Sequence, residues 1–264
     1  MSEVIDRPRF GALLRDWRQR RRLSQLDLAY SAGVSPRHLS FIETGRSRPS
    51  AAMVMQLAEQ LDMPLRDRNT LLLAAGHAPA YGQHGLEDPE MDTVRGALDH
   101  LLSGHEPYPA LVVDRHWGMV AANRAAPLLI AGAAAELLEP PVNVLRLTLH
   151  PDGLAARILN LAEWRTHLLD RLHRQALAAG DPALHALHEE LLAYPSPTPD
   201  TVPDLEAGTI AVPLRIEVDG AELAFISAAT TFGTAIDVTL SELSIETFLP
   251  TDERTRAFLR ERVQ

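Results

Sequence analysis

The sequence contains no cysteine among its 264 residues. This absence excludes disulfide bonds, zinc sites built on thiolates and cysteine nucleophiles. The longest uninterrupted apolar run, residues 125–135, is too short to cross a bilayer. Residues 1–11 carry charges where a secretory signal needs an apolar segment. We therefore expect a cytoplasmic protein that is made without a signal peptide.

The net charge is acidic, at −10, but it is unevenly distributed along the chain. Residues 1–80 hold twelve arginines against eight acidic residues, a net charge of +4. Residues 81–264 hold thirteen arginines against twenty-seven acidic residues, a net charge of −14. The acidic total therefore does not argue against a nucleic-acid partner for the first part of the chain. At this length we expect a small domain followed by a medium-sized one.

The first eighty residues predict an all-α domain of five short helices. Apolar residues at positions 10, 13, 14 and 17 define one face of a first helix. Ser24 and Asp27 have the spacing of a capping box, and Gly33 is placed to end the second helix. Ser35 and Pro36 are typical of the cap and first position of a third helix. Two more helices are predicted near residues 50–61 and 64–75.

The rest of the chain predicts an α+β domain with an antiparallel sheet. Residues 81–107 are interpreted as a linker and a connecting helix, and residues 108–264 as the second domain. Short hairpins are expected at residues 111–121 and around the Asp219-Gly220 turn. A helix is predicted over residues 154–178, and a loop over residues 194–204, which hold four prolines. Residues 243–247 predict a last strand before a terminal helix.

The two helices around Gly33 favour DNA binding. A helix pair joined by a glycine-containing turn allows the N-terminal end of its second helix to enter the major groove. Arg37 is the candidate for a bidentate contact to guanine, and Phe41 for contact with a thymine methyl group. Gln25, Arg46 and Arg48 are placed to contact phosphates. The full set of expected DNA contacts is Gln25, Ser35, Pro36, Arg37, His38, Ser40, Phe41, Arg46 and Arg48.

Residues 10–75 resemble the lambda-repressor-like helix-turn-helix of the XRE family. The resemblance rests on Ser24-Gln25, Leu28-Ala29, Gly33-Val34-Ser35, Ile42-Glu43, Gly45 and Arg48-Pro49-Ser50. It implies a buried ion pair between Arg18 and Glu43. It also implies a homodimer on an inverted repeat with half-sites ~34 Å apart. The alternative interpretation is a helical bundle whose charged face is only solvated.

The second part resembles the MmyB-like group of regulators. The matching motifs are Arg66-Asp67-Arg68-Asn69, Leu72, Ala74-Ala75-Gly76, Asp114-Arg115, Trp117, Asn123, His150-Pro151-Asp152-Gly153, Asn160, Thr231-Phe232-Gly233-Thr234 and Asp237-Val238-Thr239-Leu240. The resemblance implies a PAS-like ligand-binding domain, for which a fatty acid is the family precedent. With the helix-turn-helix match it covers nearly the whole chain.

A cavity between the sheet and the helices would give this domain a ligand site. The candidate lining residues are Trp117, Asn123, Leu128, Leu159, Asn160, Leu168, Phe225, Ser227, Phe232 and Phe248. For each apolar member of this set an ordinary core position is the alternative. The polar members are the more informative, because an inward polar side chain needs a partner. Asn123 is equally well explained as a helix cap.

Other functions fit the sequence less well. His185 and His188 with Glu189 and Glu190, or His167 with His173, lack the spacing of a metal site. The carboxylates Asp114, Asp152 and Asp237 are not accompanied by a catalytic motif, so we expect neither an enzyme nor a cofactor. An antitoxin-like protein whose second domain binds a partner protein remains the alternative. We expect a DNA-binding transcriptional regulator that senses a small apolar ligand, a fatty acid or another acyl compound.

Overall fold

The structure is a computed structural model that describes residues 10–195 and 211–263. The described residues form two compact units. A helical unit comprises residues 10–85 together with the short segments 178–180 and 234–241. An α/β unit comprises residues 86–177, 181–195, 211–233 and 242–263. The predictions for residues 1–9 and 264, and for most of the 194–204 loop, concern positions outside the described residues.

Five helices of the helical unit follow one another closely. They are α1 (Phe10–Arg20), α2 (Gln25–Ser31), α3 (Pro36–Glu43), α4 (Ala51–Gln60) and α5 (Leu65–Ala74). The predicted capping box is confirmed, because the Ser24 hydroxyl accepts from the Asp27 backbone N–H and the Asp27 carboxylate accepts from the Ser24 N–H. Ser35 caps α3, with Pro36 at its first position.

The turns around α3 depend on backbone conformations that glycine adopts at little cost. Gly33 has a φ of 60° between α2 and α3, and Gly45 has a φ of 74° after α3. Leu39 and Ile42 of α3 are buried against the core of this unit, which also takes in Leu14. The one-sided burial of α3 leaves its other face exposed.

The α/β unit contains a five-stranded antiparallel sheet among the described residues. Its strands are β1 (Ala110–Val113), β2 (Met119–Ala122), β3 (Leu214–Val218), β4 (Ala221–Thr231) and β5 (Ser244–Pro250). The strand order is β2-β1-β5-β4-β3. Both predicted hairpins are confirmed, since β1 pairs with β2 and β3 with β4. The arrangement is the α+β, PAS-like architecture that the sequence predicts.

The helices that accompany the sheet lie between β2 and β3 and at its two ends in sequence. They are α6 (Asp92–Gly104), α7 (Ala126–Ile130), α8 (Val144–Leu149), α9 (Leu161–Ala179), α10 (Pro182–Leu192) and α12 (Glu253–Arg262), while α11 (Val238–Ser241) belongs to the helical unit. Buried leucines of α9 and α10, including Leu172 and Leu187, contribute to the core.

The helix predicted from residue 154 is wrong at its start. Residues 155–157 form one turn of 3-10 helix, and α9 begins only at Leu161. Between them, the Leu159 backbone N–H donates to the Arg215 carbonyl, and Ile158 bridges to Ile216 of β3. Pairing with the sheet edge therefore replaces helical hydrogen bonds over this short segment.

Candidate DNA-binding surface and ligand cavity

The exposed face of α3 begins at its N-terminus. Ser35, Pro36 and Arg37 are exposed, whereas His38 and Ser40 are half-buried. The helix is anchored by its buried residues, so the backbone positions of its exposed residues are fixed relative to the core. The nine residues expected to contact DNA all lie in α2, in α3 or in the segments that flank α3.

Two arginine side chains lie near the aromatic ring of Phe41. The guanidinium carbon of Arg37 lies 5.4 Å from the centroid of this ring, and that of Arg46 lies 6.0 Å from it. Both arginines are exposed. Cation–π attraction thus holds two positive charges beside the same helix face, where they are available to an anionic partner.

The ion pair implied between Arg18 and Glu43 is confirmed. The Arg18 Nε and Nη2 atoms donate to the two carboxylate oxygens of Glu43 at 2.6 Å and 3.0 Å. Gln25 joins this network, since its side-chain amide donates to Glu43 Oε2 at 2.8 Å. The network joins α1, the start of α2 and the end of α3. The side-chain amide of Gln25 is thus engaged within the protein.

The environment of Glu43 has two opposing effects on its pKa. Burial raises it, but hydrogen bonds from Arg18 and Gln25, the charge of Arg18 and a hydrogen bond from Arg15 together lower the pKa below its usual value. The carboxylate therefore stays ionised inside the helical unit. Its charge stabilises the orientation of α3 at neutral pH.

Arg48 lies in the loop between α3 and α4, where its side chain is exposed. Its guanidinium lies against Gly76, where a Cβ atom would come within 2.9 Å of Arg48 Nη2. The same loop is held by His77, whose Nε2 is 2.9 Å from the Pro49 carbonyl oxygen. The position of Arg48 therefore depends on the residues that follow α5.

A cavity of about 210 Å³ lies within the α/β unit. Strands β1, β2, β3, β4 and β5 and helices α7, α8 and α9 all contribute lining residues. Most of these side chains are aliphatic or aromatic, as is typical of small-molecule sites. A molecule in this cavity would be surrounded mainly by hydrocarbon.

An ion pair forms the main polar feature of the cavity wall. Arg171 Nη1 and Nη2 donate to the Glu246 carboxylate oxygens at 2.9 Å and 2.6 Å. The Arg171 guanidinium carbon also lies 4.6 Å from the ring centroid of Trp117. The Trp117 Nε1 atom donates to Gln175 at 2.8 Å. These polar groups therefore satisfy one another within the protein.

Trp164, another residue of the cavity wall, has a side-chain donor without a hydrogen-bond partner among the described residues. Its side chain is 3% exposed, and its Nε1 atom has no hydrogen-bond partner among the described residues. A buried donor without a partner costs about 1–3 kcal/mol. The indole N–H of Trp164 is therefore a buried donor without a partner among the described residues.

Four of the ten residues predicted to bind ligand line this cavity. They are Trp117, Leu168, Ser227 and Phe248. They come from the turn after β1, from α9, from β4 and from β5. The fold thus brings together residues that are far apart in the sequence.

The other six predicted residues lie outside the cavity lining. Asn123 and Asn160 hydrogen-bond the backbone: Asn123 with Ala110, Tyr108, Leu102 and Ala126, and Asn160 with Pro213 and Arg215. Phe225 is fully buried in the core and Leu159 is 47% exposed. Leu128 and Phe232 are half-buried. Backbone hydrogen bonds account for the positions of Asn123 and Asn160, and core packing accounts for that of Phe225.

Several lining residues were missed by the sequence interpretation. Trp164 and Arg171 share a face of α9 with Leu168, four residues before it and three residues after it, so the helical period would have found them. Glu246 is a buried charge in a strand, and such a residue signals a partner. No periodic signal identifies Leu145 and Leu147 of α8, because that helix has only six residues.

The histidine-rich helices do not form a metal site within the part of the chain that the structure describes. No group of three or more histidine or acidic side chains there is close enough to hold a metal ion. His173 and His188 lie with their ring centroids 5.1 Å apart.

No helix among the described residues is long and apolar enough to cross a membrane.

Comparison with known families assigns both parts of the chain. Residues 94–261 match the family described as MmyB-like transcription regulator ligand binding domain, and residues 9–71 match a helix-turn-helix domain family. The chain belongs to the MmyB-like transcription regulators. It is a helix-turn-helix regulator with a ligand-binding domain.

Two curated relatives match part of this MmyB-like regulator. An uncharacterized HTH-type transcriptional regulator, RghRB, of Bacillus subtilis (strain 168) is 37% identical over 82 residues, which are 31% of this chain and 57% of the relative. The ImmF control region 10 kDa protein of Bacillus phage phi105 is 34% identical over 62 residues, 24% of this chain and 69% of that protein. The chain thus spans little more than half of the first relative.

A solved structure of an RNA-binding light-oxygen-voltage receptor was also matched to the MmyB-like regulator. The TM-score is 0.28 and the sequence identity is 18%, over 96% of this chain and 62% of that chain. This likeness is too low to support an argument about fold or function.

Proposed function

We propose that this chain acts in the bacterial cytoplasm as a homodimeric regulator that binds an inverted-repeat operator. DNA binding is assigned to residues 1–80, and ligand binding and dimerisation to residues 108–264, with residues 81–107 as the linker. The observation that carries the proposal is the exposed N-terminal face of α3, with Arg37 and Arg46 beside it. A helix held in this way fits the major groove of duplex DNA.

Different residues of this surface have different roles on DNA. Arg37 donates to a guanine edge, and Phe41 contacts a thymine methyl group. Arg46 and Arg48, in the loop that follows α3, contact phosphates and set the register of the complex. Ser35, Pro36, His38 and Ser40 complete the contact surface. Gln25 contributes at the start of α2, where it also supports Glu43.

The cavity of the α/β unit is the site of the signal molecule. Its apolar lining suits a small apolar ligand, and acyl compounds, including fatty acids, are the candidates that the family resemblance suggests. Trp117, Leu168, Ser227 and Phe248 are the ligand contacts among the residues predicted from the sequence. Ligand binding shifts the population of dimers toward one spacing of the two α3 helices and so changes operator affinity.

Native mass spectrometry of gently purified protein tests the sensing part of this proposal. A small molecule that co-purifies is identified, removed and added back, and operator affinity is measured at each stage. We expect the ligand to change operator affinity about 5–150-fold, as is typical of coupled sites. Equal operator affinity with and without the bound molecule would contradict the proposed sensing.

A further inference from the structure

The chain between β4 and β5, residues 232–243, joins two strands of the cavity wall. We call it the β4–β5 connection. Ser227 of β4 and Phe248 of β5 are cross-strand partners, and both line the cavity. The same pair of strands ends at Thr231 and Ser244, which are also partners. The cavity and the β4–β5 connection therefore share one strand ladder.

The middle of the β4–β5 connection belongs to the helical unit, which includes residues 234–241. These residues contain α11 (Val238–Ser241). The Asp237 carboxylate caps this short helix, since its Oδ1 atom accepts from the Leu240 N–H at 3.2 Å. Continuous backbone therefore runs from two strands of the cavity wall into the unit that carries α3.

Hydrogen bonds hold α11 against residues 76–85, which we call the post-α5 stretch. The Val238 N–H donates to the Gly82 carbonyl at 2.9 Å. Asp237 Oδ2 accepts from the His84 backbone N–H at 3.2 Å and lies 2.8 Å from His84 Nδ1. A Cβ atom at position 82 would come within 2.9 Å of the His84 ring, so the absence of a side chain at Gly82 leaves room for that ring.

The post-α5 stretch also positions an arginine that is assigned to DNA. Asn69 of α5 holds residues 80–81, whose backbone N–H groups donate to its Oδ1 atom at 2.9 Å and 3.1 Å. Residues 76–77 lie against the Arg48 guanidinium and the Pro49 carbonyl. The post-α5 stretch therefore contacts the Arg48 loop at one end and α11 at the other.

We propose that the β4–β5 connection transmits the state of the cavity to the Arg48 loop, with Asp237 and His84 as the positioning residues that join it to the post-α5 stretch. This inference rests on the proposed function, in which the cavity is the sensing site. A molecule that fills the cavity orders β4 and β5. That order extends through α11 to the post-α5 stretch and changes how firmly the Arg48 loop is held.

The end of α9 is the alternative route from the cavity wall. Residues 178–180 belong to the helical unit, and Arg20 Nη1 of α1 donates to the Ala179 carbonyl at 2.9 Å. This contact is a single hydrogen bond from a side chain that is 27% exposed. The β4–β5 connection is held by backbone and side-chain bonds together, so we assign the transmission to it.

Hydrogen exchange of the full chain, measured by mass spectrometry, tests the transmission without DNA or ligand. Ser227 and Leu168 line the cavity, so Ser227→Val fills part of it and Leu168→Ala enlarges it. In the post-α5 stretch, Ser227→Val should slow exchange and Leu168→Ala should accelerate it, each by at least about twofold. An unchanged post-α5 stretch in both variants, while β4 and β5 respond, would overturn the inference.

Removal of the Asp237 carboxylate tests the positioning residues. Asp237→Asn replaces an acceptor oxygen with an NH₂ group, which cannot accept from the His84 N–H. In this background the cavity substitutions should still alter exchange in β4 and β5, but the post-α5 stretch should no longer respond. Glu253→Gln changes an exposed acid of α12 and is the matched control, which should keep the response.

Two results of this comparison would contradict the roles of Asp237 and His84. If Asp237 only stabilised the helical unit, Asp237→Asn would shift exchange in every background alike and leave the response to the cavity substitutions in place. If α9 carried the transmission, the response would persist in Asp237→Asn and disappear in Arg20→Gln.

Operator binding separates this inference from the proposed function. On the selected operator, Ser227→Val and Leu168→Ala should differ in affinity, and this difference should vanish in the Asp237→Asn background. A difference that persists there would refute the β4–β5 connection as the route and leave the sensing function standing. Exchange that responds through Asp237 without any change in operator affinity would refute the sensing function and leave the transmission standing.

Discussion

Arg37 and Arg48 are both exposed arginines near α3, but they are expected to act differently on DNA. Arg37 lies at the N-terminal end of α3, where side chains reach base edges. Substitution Arg37→Ala should cost about 1–3 kcal/mol of binding free energy on the preferred operator and relax base preference at one position. Competition binding with single-base operator variants measures this. An equal loss on every variant would contradict base reading by Arg37.

The loop arginine should have a uniform effect. Because Arg48 is assigned to a phosphate, Arg48→Ala should weaken binding to all duplexes to a similar degree. The slope of log affinity against log salt concentration should decrease by about one. A salt titration of the variant on operator and random duplexes checks both points, and an unchanged slope would argue against a phosphate contact.

The Arg18–Glu43 pair should make the stability of the helical unit depend on pH. The pKa of Glu43 is lowered on folding, so its contribution is present above its ordinary value of 4.5 and is lost as the pH falls through the folded value. Glu43→Gln should cost about 3–5 kcal/mol at neutral pH, since it leaves Arg18 buried without its partner. Urea unfolding from pH 7 downward should show the difference from the unsubstituted protein narrowing in acid.

Exposed Glu59 on α4 provides the control for this comparison. Glu59→Gln should change the unfolding free energy by less than about 0.5 kcal/mol at every pH. A constant difference between Glu43→Gln and the unsubstituted protein down to strong acid would contradict the assigned role of the Glu43 charge.

Individual residues differ in how well the sequence predicts their surroundings. Ser24 and Asp27 are three positions apart, so their capping box is readable from local spacing. Arg171 and Glu246 are 75 positions apart, and nothing local connects them. Asn123 and Asn160, two of the residues predicted to bind ligand, both hydrogen-bond backbone carbonyls. Sequence identifies which groups need partners more readily than it identifies the partners.

At the scale of elements, the N-cap of α3 is expected to be the local determinant of its order. The Ser35 hydroxyl accepts from the His38 backbone N–H at 3.1 Å. Loss of such a cap costs about 0.5–2 kcal/mol. In Ser35→Ala, amide exchange over residues 36–43 should therefore accelerate about fivefold, measured by hydrogen exchange and mass spectrometry.

Ser31 gives a matched control within the same helix pair. Its hydroxyl donates to the Leu28 carbonyl, which the helix backbone also uses. Ser31→Ala should leave exchange in α3 nearly unchanged. Equal acceleration in both variants would show that α3 does not depend on its own cap.

The helices and strands were predicted best where a capping residue or a turn residue lies directly beside the element. Helices α2, α3 and α4 follow capping serines and α5 follows Pro64. The Asp219-Gly220 turn fixes the β3–β4 hairpin through positive φ angles of 51° and 74°. The start of α9 was missed because pairing of Ile158 with Ile216 is a long-range contact. Helix α8 carries too few residues for its period to be read.

At the scale of the whole molecule, the two parts of the chain carry opposite net charges. Residues 1–80 carry +4 and residues 81–264 carry −14. The acidic part is repelled by DNA, so the basic part alone is expected to contact the duplex. The cavity, in turn, is lined only by residues of the α/β unit.

In vitro selection of full-length protein on random duplexes measures the central claim most directly. The account predicts that an inverted repeat is recovered, with half-sites about 10–10.5 base pairs apart from centre to centre. Each recovered half-site should then respond to Arg37→Ala at the same base position. Failure to retain any duplex at low ionic strength, or retention without enrichment of a symmetric sequence, would contradict DNA recognition by paired α3 helices.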